Sequence, residues 1–181
     1  MNSALFLDRD GTLIKDIPYL HAVDKIKLLP GTIEALSLAK KAKFHLFLFT
    51  NQSGIGRGYY SLEQAENCNK ALVEAIGLGP IFDAMCIAPE RPDETPIYRK
   101  PSPKFILEMI DTYQLSPQHS YMVGDRKSDA EAGLNAHIQA IRVETGEAIS
   151  PQEKEWIAQG KLKAFPDFLS FIHEGLGLRG M

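Results

Sequence analysis

Cysteine is scarce in this chain: Cys68 and Cys86 are the two among 181 residues, and they form neither a CxxC pair nor a metal-ligand spacing. A disulfide framework and a structural zinc site are therefore not expected, and both thiols read as free core residues. Long apolar runs are missing as well. No stretch approaches the ~20 apolar residues of a membrane span, and no basic leader precedes a long apolar segment at the N-terminus, so a soluble cytoplasmic protein with no membrane partner is expected. Nor is there an excess of positive charge. Twenty Lys and Arg against 23 Asp and Glu give a formal net charge of -3, which argues against nucleic acid as a partner. Internal repeats and low-complexity tracts are absent too. What remains is 44% hydrophobic and fits a single domain over residues 1–181 with an ordinary core.

Short apolar runs at 4–7, 44–49, 82–87, 121–123 and 138–143 read as strands. Helix-like stretches alternate with them at 32–42, 62–76, 103–114, 127–135 and 151–159, with a weaker one near 167–174. That alternation predicts an α/β fold: a doubly wound, mostly parallel sheet with helices on both faces. Ser61 with Gln64, and Ser150 with Glu153, match the capping box that satisfies orphan amides at a helix start, and Ser102-Pro103 offers a serine cap with a proline behind it. Two segments, 14–30 and 89–101, do not fit the alternation. Long loops in compact domains are disproportionately functional, so both are candidates for substrate contact.

Asp8-Arg9-Asp10-Gly11-Thr12 directly follows the first apolar run. In extended backbone, positions i and i+2 project to the same side, so two carboxylates face one site and repel unless a cation lies between them. Phe49-Thr50-Asn51-Gln52-Ser53-Gly54 closes the second run with hydroxyls and amides. The glycines 54, 56 and 58 beyond it either aim backbone N-H groups at a phosphate or serve only as turn residues. Arg99-Lys100-Pro101 supplies adjacent cations, which suit an anion or a solvated surface equally. Gly124-Asp125-Arg126-Lys127-Ser128-Asp129 adds acidic groups after the fourth run. Asp125 suits Mg²⁺, and Asp129 reads either as part of that site or as a helix-start charge.

Each of these pieces lies at the C-terminal end of a predicted strand, where open α/β sheets bind ligands. In that order and placement the sequence resembles the haloacid-dehalogenase-like hydrolase superfamily, through Asp8-Arg9-Asp10-Gly11-Thr12, Thr50-Asn51, Lys100, and Gly124-Asp125 with Asp129. The resemblance implies a Rossmann-like fold without a large cap domain, because the gaps between motifs are short. It also implies an Mg²⁺-dependent phosphatase acting on a small phosphorylated metabolite. Asp8 would attack phosphorus to give an aspartyl-phosphate, Asp10 would handle protons, and Thr50 and Lys100 would hold phosphoryl oxygens. Asp8, the main chain of Asp10, and Asp125 would bind the metal, with Asp129 behind them.

The finer pattern, with Tyr19-x-His21 and Thr50 to Gly58, is similar to a branch that acts on D-glycero-D-manno-heptose 1,7-bisphosphate and is related to histidinol-phosphate phosphatases. By that resemblance, Asp16, Ile17, Pro18, Tyr19, Asn51, Gln52, Ser53, Arg99 and Arg126 contact substrate, with Arg99 and Arg126 meeting a distal phosphate. Histidinol phosphate is the alternative substrate. A phosphoacceptor receiver domain is the alternative of another class, though it would need its acidic pair on the first strand and its acceptor on a later one. A monomer is expected. Typical members of the branch carry a zinc loop of three cysteines and a histidine, where this chain has Ala88, Glu90, Pro96 and Tyr98. None is a soft ligand, so no zinc is expected and packing and prolines should hold the loop. Metal analysis of the purified protein is expected to find no stoichiometric zinc; about one tightly held zinc per chain would overturn that reading.

Overall fold

The computed structural model describes residues 2–180. Six strands, β1 (Ala4–Leu7), β2 (His45–Asn51), β3 (Ala84–Ala88), β4 (Ser120–Gly124), β5 (Gln139–Val143) and β6 (Leu162–Phe165), form one sheet in the order β3-β2-β1-β4-β5-β6. Every pairing is parallel. Strand β1 is buried along its whole length, and its alternate residues enter different cores. Leu5 and Leu7 join Leu46 and Leu48 on one face, while Ala4 and Phe6 join Phe47 and Phe49 on the other. A strand covered on both sides must be apolar at every position, which is why the run carries no polar alternation.

Seven helices complete the layers: α1 (Thr32–Lys41), α2 (Ser53–Gly56), α3 (Leu62–Ile76), α4 (Lys104–Thr112), α5 (Lys127–Asn135), α6 (Pro151–Ala158) and α7 (Phe168–Ser170). Ala35, Leu36 and Ala39 of α1 and Leu72 and Ile76 of α3 cover the first face. Phe105 and Ile106 of α4 and Ala132 of α5 cover the second. The capping boxes at Ser61 and Ser150 are both formed, and α3 ends at Gly77 in the left-handed region, φ 69°, where a side chain would be strained.

The structure departs from the sequence reading in several places. Strand β6 was not foreseen, because Leu162-Lys163-Ala164-Phe165 is too short and too mixed to stand out. Strand β3 begins at Ala84 rather than at residue 82. There Asp83 caps the edge, its N donating to the Leu46 carbonyl (2.7 Å) and its carboxylate accepting from the Leu46 N (2.8 Å). Pro103 stands at the N-cap position of α4, while the Ser102 hydroxyl accepts from the Lys104 N at 3.4 Å, a long cap contact, and donates to the Ile97 carbonyl at 2.7 Å. The helix expected near 167–174 is present over 168–175, but as the short α7 running into a wider π-helical stretch, Phe171–Gly175. Cys68 is buried as expected, but Cys86 on the edge strand is only partly so.

Candidate active site

The strand order reverses direction at β1, with β2 on one side and β4 on the other. A crevice therefore opens at their carboxyl ends. The Asp8 N donates to the Val123 carbonyl at 3.0 Å, extending the β1–β4 ladder by one residue and fixing Asp8 at that crevice. Thr50, buried within the last turn of β2's pleat, and Asp125, directly after β4, arrive at the same level. Lys100 comes from the loop after β3. Its main chain is tied on both sides of the Lys100 Cα by Asn51, whose Oδ1 accepts from the Lys100 N (2.9 Å) and whose Nδ2 donates to the Lys100 O (3.1 Å). The Asn51 amide is thus committed to backbone, although it stands on the cavity wall.

Buried to 2% exposure, the Lys100 ammonium donates to Asp8 Oδ1 and to the Phe49 carbonyl, each at 2.7 Å, and is ion-paired to Asp129 Oδ1 at 2.6 Å. Burial pulls its pKa down, but Asp129 and Asp8 outweigh it and the net shift is upward. It remains an ammonium.

Asp8, Asp125 and Asp129 present oxygens that all lie within 4.8 Å of one another. Three carboxylates against one ammonium leave the pocket floor short of positive charge. Burial, then the charges of Asp8 and Asp129, push the Asp125 carboxyl up to about 8. Burial likewise lifts Asp129 to about 6, with Lys100 opposing. Asp125 Oδ1 is buried without a hydrogen-bond partner, while its Oδ2 accepts from the Glu147 N at 3.1 Å. The backbone clears room for this group: a methyl on Gly11 (φ 81°) or on Gly146 would overlap the Asp125 carboxylate. Hard oxygen donors, missing charge and an unpartnered oxygen together fit a hard divalent cation. Asp129 is less free, since its Oδ2 also accepts from the Arg126 N at 2.9 Å.

Asp10 faces differently. Its Oδ2 takes Arg9 Nε at 3.1 Å, Arg9 Nη2 at 3.0 Å and Gln52 Nε2 at 3.0 Å. Arg9 is fully buried and also donates to Asn69 Oδ1 at 2.9 Å. Gln52 is oriented by the Tyr60 hydroxyl, which donates to its Oε1 at 2.6 Å, and its Nε2 also reaches Thr50 Oγ1 at 2.8 Å. Burial raises the Asp10 pKa, with Arg9 opposing and Asp8 adding to the rise. The carboxyl is therefore biased toward holding a proton while two flanking groups fix its orientation.

Above this floor lies a cavity of about 300 Å³. Asp16, Ile17, Pro18 and Tyr19 form one wall, and Gln52 and Ser53 the opposite one. Arg99 and Arg126 line the same space, so an acidic floor meets a basic rim. Arg126 is held by Asp16 at 2.9 Å and Glu147 at 3.4 Å. The loop 88–98 is anchored by a carboxylate rather than by prolines alone: Glu90 Oε1 accepts from the backbone N of Ile97, Tyr98 and Arg99. Sequence reasoning gave no positioning role to Arg9, Tyr60, Glu90 or Glu147. Arg9 lies inside the opening motif and Tyr60 beside a cap, but Glu147 contributes a backbone amide and leaves no sequence signal.

A profile described as a haloacid dehalogenase-like hydrolase matches residues 19–137. A Helicobacter pylori protein named D-glycero-beta-D-manno-heptose-1,7-bisphosphate 7-phosphatase is 39% identical over 76% of this chain and 81% of its own length. The Haemophilus influenzae protein of that name is 35% identical over 92% and 95%. Among solved structures, the D,D-heptose 1.7-bisphosphate phosphatase of B. bronchiseptica, complexed with magnesium and phosphate, superposes with a TM-score of 0.82 at 26% identity, covering 96% of this chain and 98% of that one.

The acidic floor makes a pH-dependent prediction. Asp125 keeps a proton in the folded state well above the pH at which an unfolded aspartate loses it. The metal-free protein therefore loses stability as pH rises from about 4 toward 8. A divalent cation takes the proton's place and restores that loss. Millimolar Mg²⁺ is expected to raise the melting temperature more near pH 8 than near pH 6; an equal rise at both, by differential scanning fluorimetry, would count against a cation on these carboxylates.

Proposed function

Because the chain belongs to the haloacid dehalogenase-like hydrolase family and is a phosphatase, we propose that it removes the 7-phosphate of D-glycero-D-manno-heptose 1,7-bisphosphate through an aspartyl-phosphate on Asp8. The observation that carries the mechanism is the unequal treatment of two neighbouring carboxylates. Asp8 is ion-paired to the Lys100 ammonium at 2.7 Å, which fixes one of its oxygens on the crevice floor. Asp10 is pushed by burial toward its protonated form. A carboxylate paired to a lysine beside a second one that burial biases toward its acid form is what a nucleophile with a separate proton carrier needs.

A phosphoryl group attacked by Asp8 brings an oxygen within reach of Lys100, and Thr50 on β2 offers its hydroxyl to another. Attack breaks the bond from phosphorus to the ester oxygen, and Asp10 gives its proton to the departing alkoxide. The same carboxylate then takes a proton from the water that cleaves the aspartyl-phosphate, returning both residues to their starting states. Arg9 and Gln52 keep the Asp10 oxygens aimed during both transfers. Asp8, Asp125 and the main chain of Asp10 would hold Mg²⁺, with Asp129 behind them tied to Lys100 and the Arg126 N. When bound, Mg²⁺ supplies the positive charge that lets a carboxylate approach a phosphate dianion.

Substrate choice rests on the rim. Two guanidinium groups on one small cavity exceed what a single phosphate needs once Lys100 is counted, and they suit a second phosphate at the far end of the substrate. The relatives above are named for such a bisphosphate.

Asp8→Asn is expected to abolish phosphate release while circular dichroism and melting stay native-like, since an amide of the same shape keeps the packing but cannot attack; substantial residual turnover would refute the assignment. Between substrates, kcat/KM for the heptose bisphosphate should exceed that for histidinol phosphate on the order of 100-fold, because charge-assisted hydrogen bonds to the distal phosphate are each worth about 1.5–3 kcal/mol. Parity, or preference for histidinol phosphate, in side-by-side kinetics would move the substrate assignment.

A further inference from the structure

The segment between β3 and Lys100 has almost no regular structure, yet it delivers Arg99 to the cavity rim. What holds it is a single side-chain oxygen. Glu90 Oε1 accepts from the backbone N of Ile97 (2.9 Å), Tyr98 (2.6 Å) and Arg99 (3.1 Å). Among the described residues no other acceptor engages these three consecutive amides. The Glu90 carbonyl adds a fourth link, accepting from Arg99 Nη1 at 3.2 Å. An ionised carboxylate is the side chain suited to several converging N-H donors, and bonds to it are about twice as strong as neutral ones. Burial pushes the Glu90 carboxyl up, but the amides outweigh it and the net pKa lies below the ordinary value.

Two further observations separate this anchor from the catalytic one. Lys100, the next residue, has its own independent tie through both ends of the Asn51 amide. Arg99 makes no ion pair among the described residues, whereas Arg126 is shared between Asp16 and Glu147. One Glu90 oxygen is spent on backbone and the other is buried without a hydrogen-bond partner, so the carboxylate sets the course of the chain without a direct ion pair to the guanidinium it presents, although its charge still acts on Arg99.

We propose that Glu90 is a positioning residue for substrate specificity: its carboxylate fixes the backbone at 97–99 so that the unpaired Arg99 guanidinium meets the distal phosphate of the substrate. This rests on the bisphosphate reading above and deepens it. The consequence is a division within one loop, in which Glu90 governs recognition of the second anion and Asn51 governs placement of Lys100 for chemistry.

The test compares Glu90→Ala and Glu90→Gln with wild type on the heptose bisphosphate and on p-nitrophenyl phosphate, which has no distal anion. Glu90→Ala is expected to raise KM for the bisphosphate about tenfold, the scale of one charge-assisted contact, with little change in kcat. Its kcat/KM on p-nitrophenyl phosphate should stay near wild type. Glu90→Gln, which keeps an acceptor oxygen but not its charge, should fall between. In an Arg99→Ala background Glu90→Ala should cost almost nothing more, because the two residues act on one contact. Equal losses on both substrates, or full additivity with Arg99→Ala, would overturn the proposal. If Glu90→Ala does not fold, Glu90→Gln carries the same comparison.

Amide hydrogen exchange separates this idea from the substrate reading. Protection of the Ile97, Tyr98 and Arg99 amides should drop in the Glu90 variants while the Lys100 amide keeps its protection; unchanged exchange at 97–99 would sink the anchor itself. Wild-type protein that shows this anchor but does not favour the bisphosphate over p-nitrophenyl phosphate would instead remove the bisphosphate reading.

Discussion

Everything at the crevice depends on one buried ammonium. Lys100 sits where three strand ends converge, hydrogen-bonded to Asp8 and to the Phe49 carbonyl and ion-paired to Asp129. Taking an ion out of water costs several kcal/mol, so such a group persists only where its partners are close and complete. The dependence runs both ways. Without the ammonium, Asp8 and Asp129 would face each other and Asp125 across less than 5 Å, with only the Arg126 guanidinium opposing part of that charge. The sheet brings the acids together, and the lysine from a distant loop makes that gathering tolerable.

Charge is layered from there outward. The floor is acidic and short of positive charge, the rim basic, and between them lies a cavity with mixed walls. A ligand carrying negative charge at both ends is drawn to the rim, while the floor repels it until a cation joins Lys100. Such opposed fields favour orientation as much as affinity, since only one end of the ligand can be accommodated beside the carboxylates.

The sequence made legible the parts that follow strand and helix periodicity. Five of six strands, the capping boxes at Ser61 and Ser150, and the acidic pair after β1 all follow from the alternation of apolar runs with turn chemistry. Strand β6 escaped because a lysine interrupts four residues. Arg9 escaped for a different reason. In extended chain, the residue between Asp8 and Asp10 points away from them, but β1 ends at Leu7 and the turn through Gly11 at φ 81° brings the guanidinium back onto Asp10. Glu90 and Glu147 were invisible because a backbone amide has no letter in the sequence. Their partners lie seven to nine residues away in one case and across two strands in the other. Every cavity-lining residue expected by resemblance stands on the cavity, with the qualification that the Asn51 side chain faces Lys100 rather than the open space.

A loop pinned by a carboxylate differs in kind from one pinned by thiolates around an ion. It has no sulfur to oxidise and no metal to surrender to a chelator, so starvation for transition metals and oxidative stress both pass it by. Its vulnerability is to acid instead. Glu90 holds the loop most firmly while ionised, and with its pKa drawn below the usual value the contribution of its charge is complete above the pKa of an unfolded glutamate and is lost as pH falls through the lowered one. The exchange trades dependence on supply for dependence on proton activity.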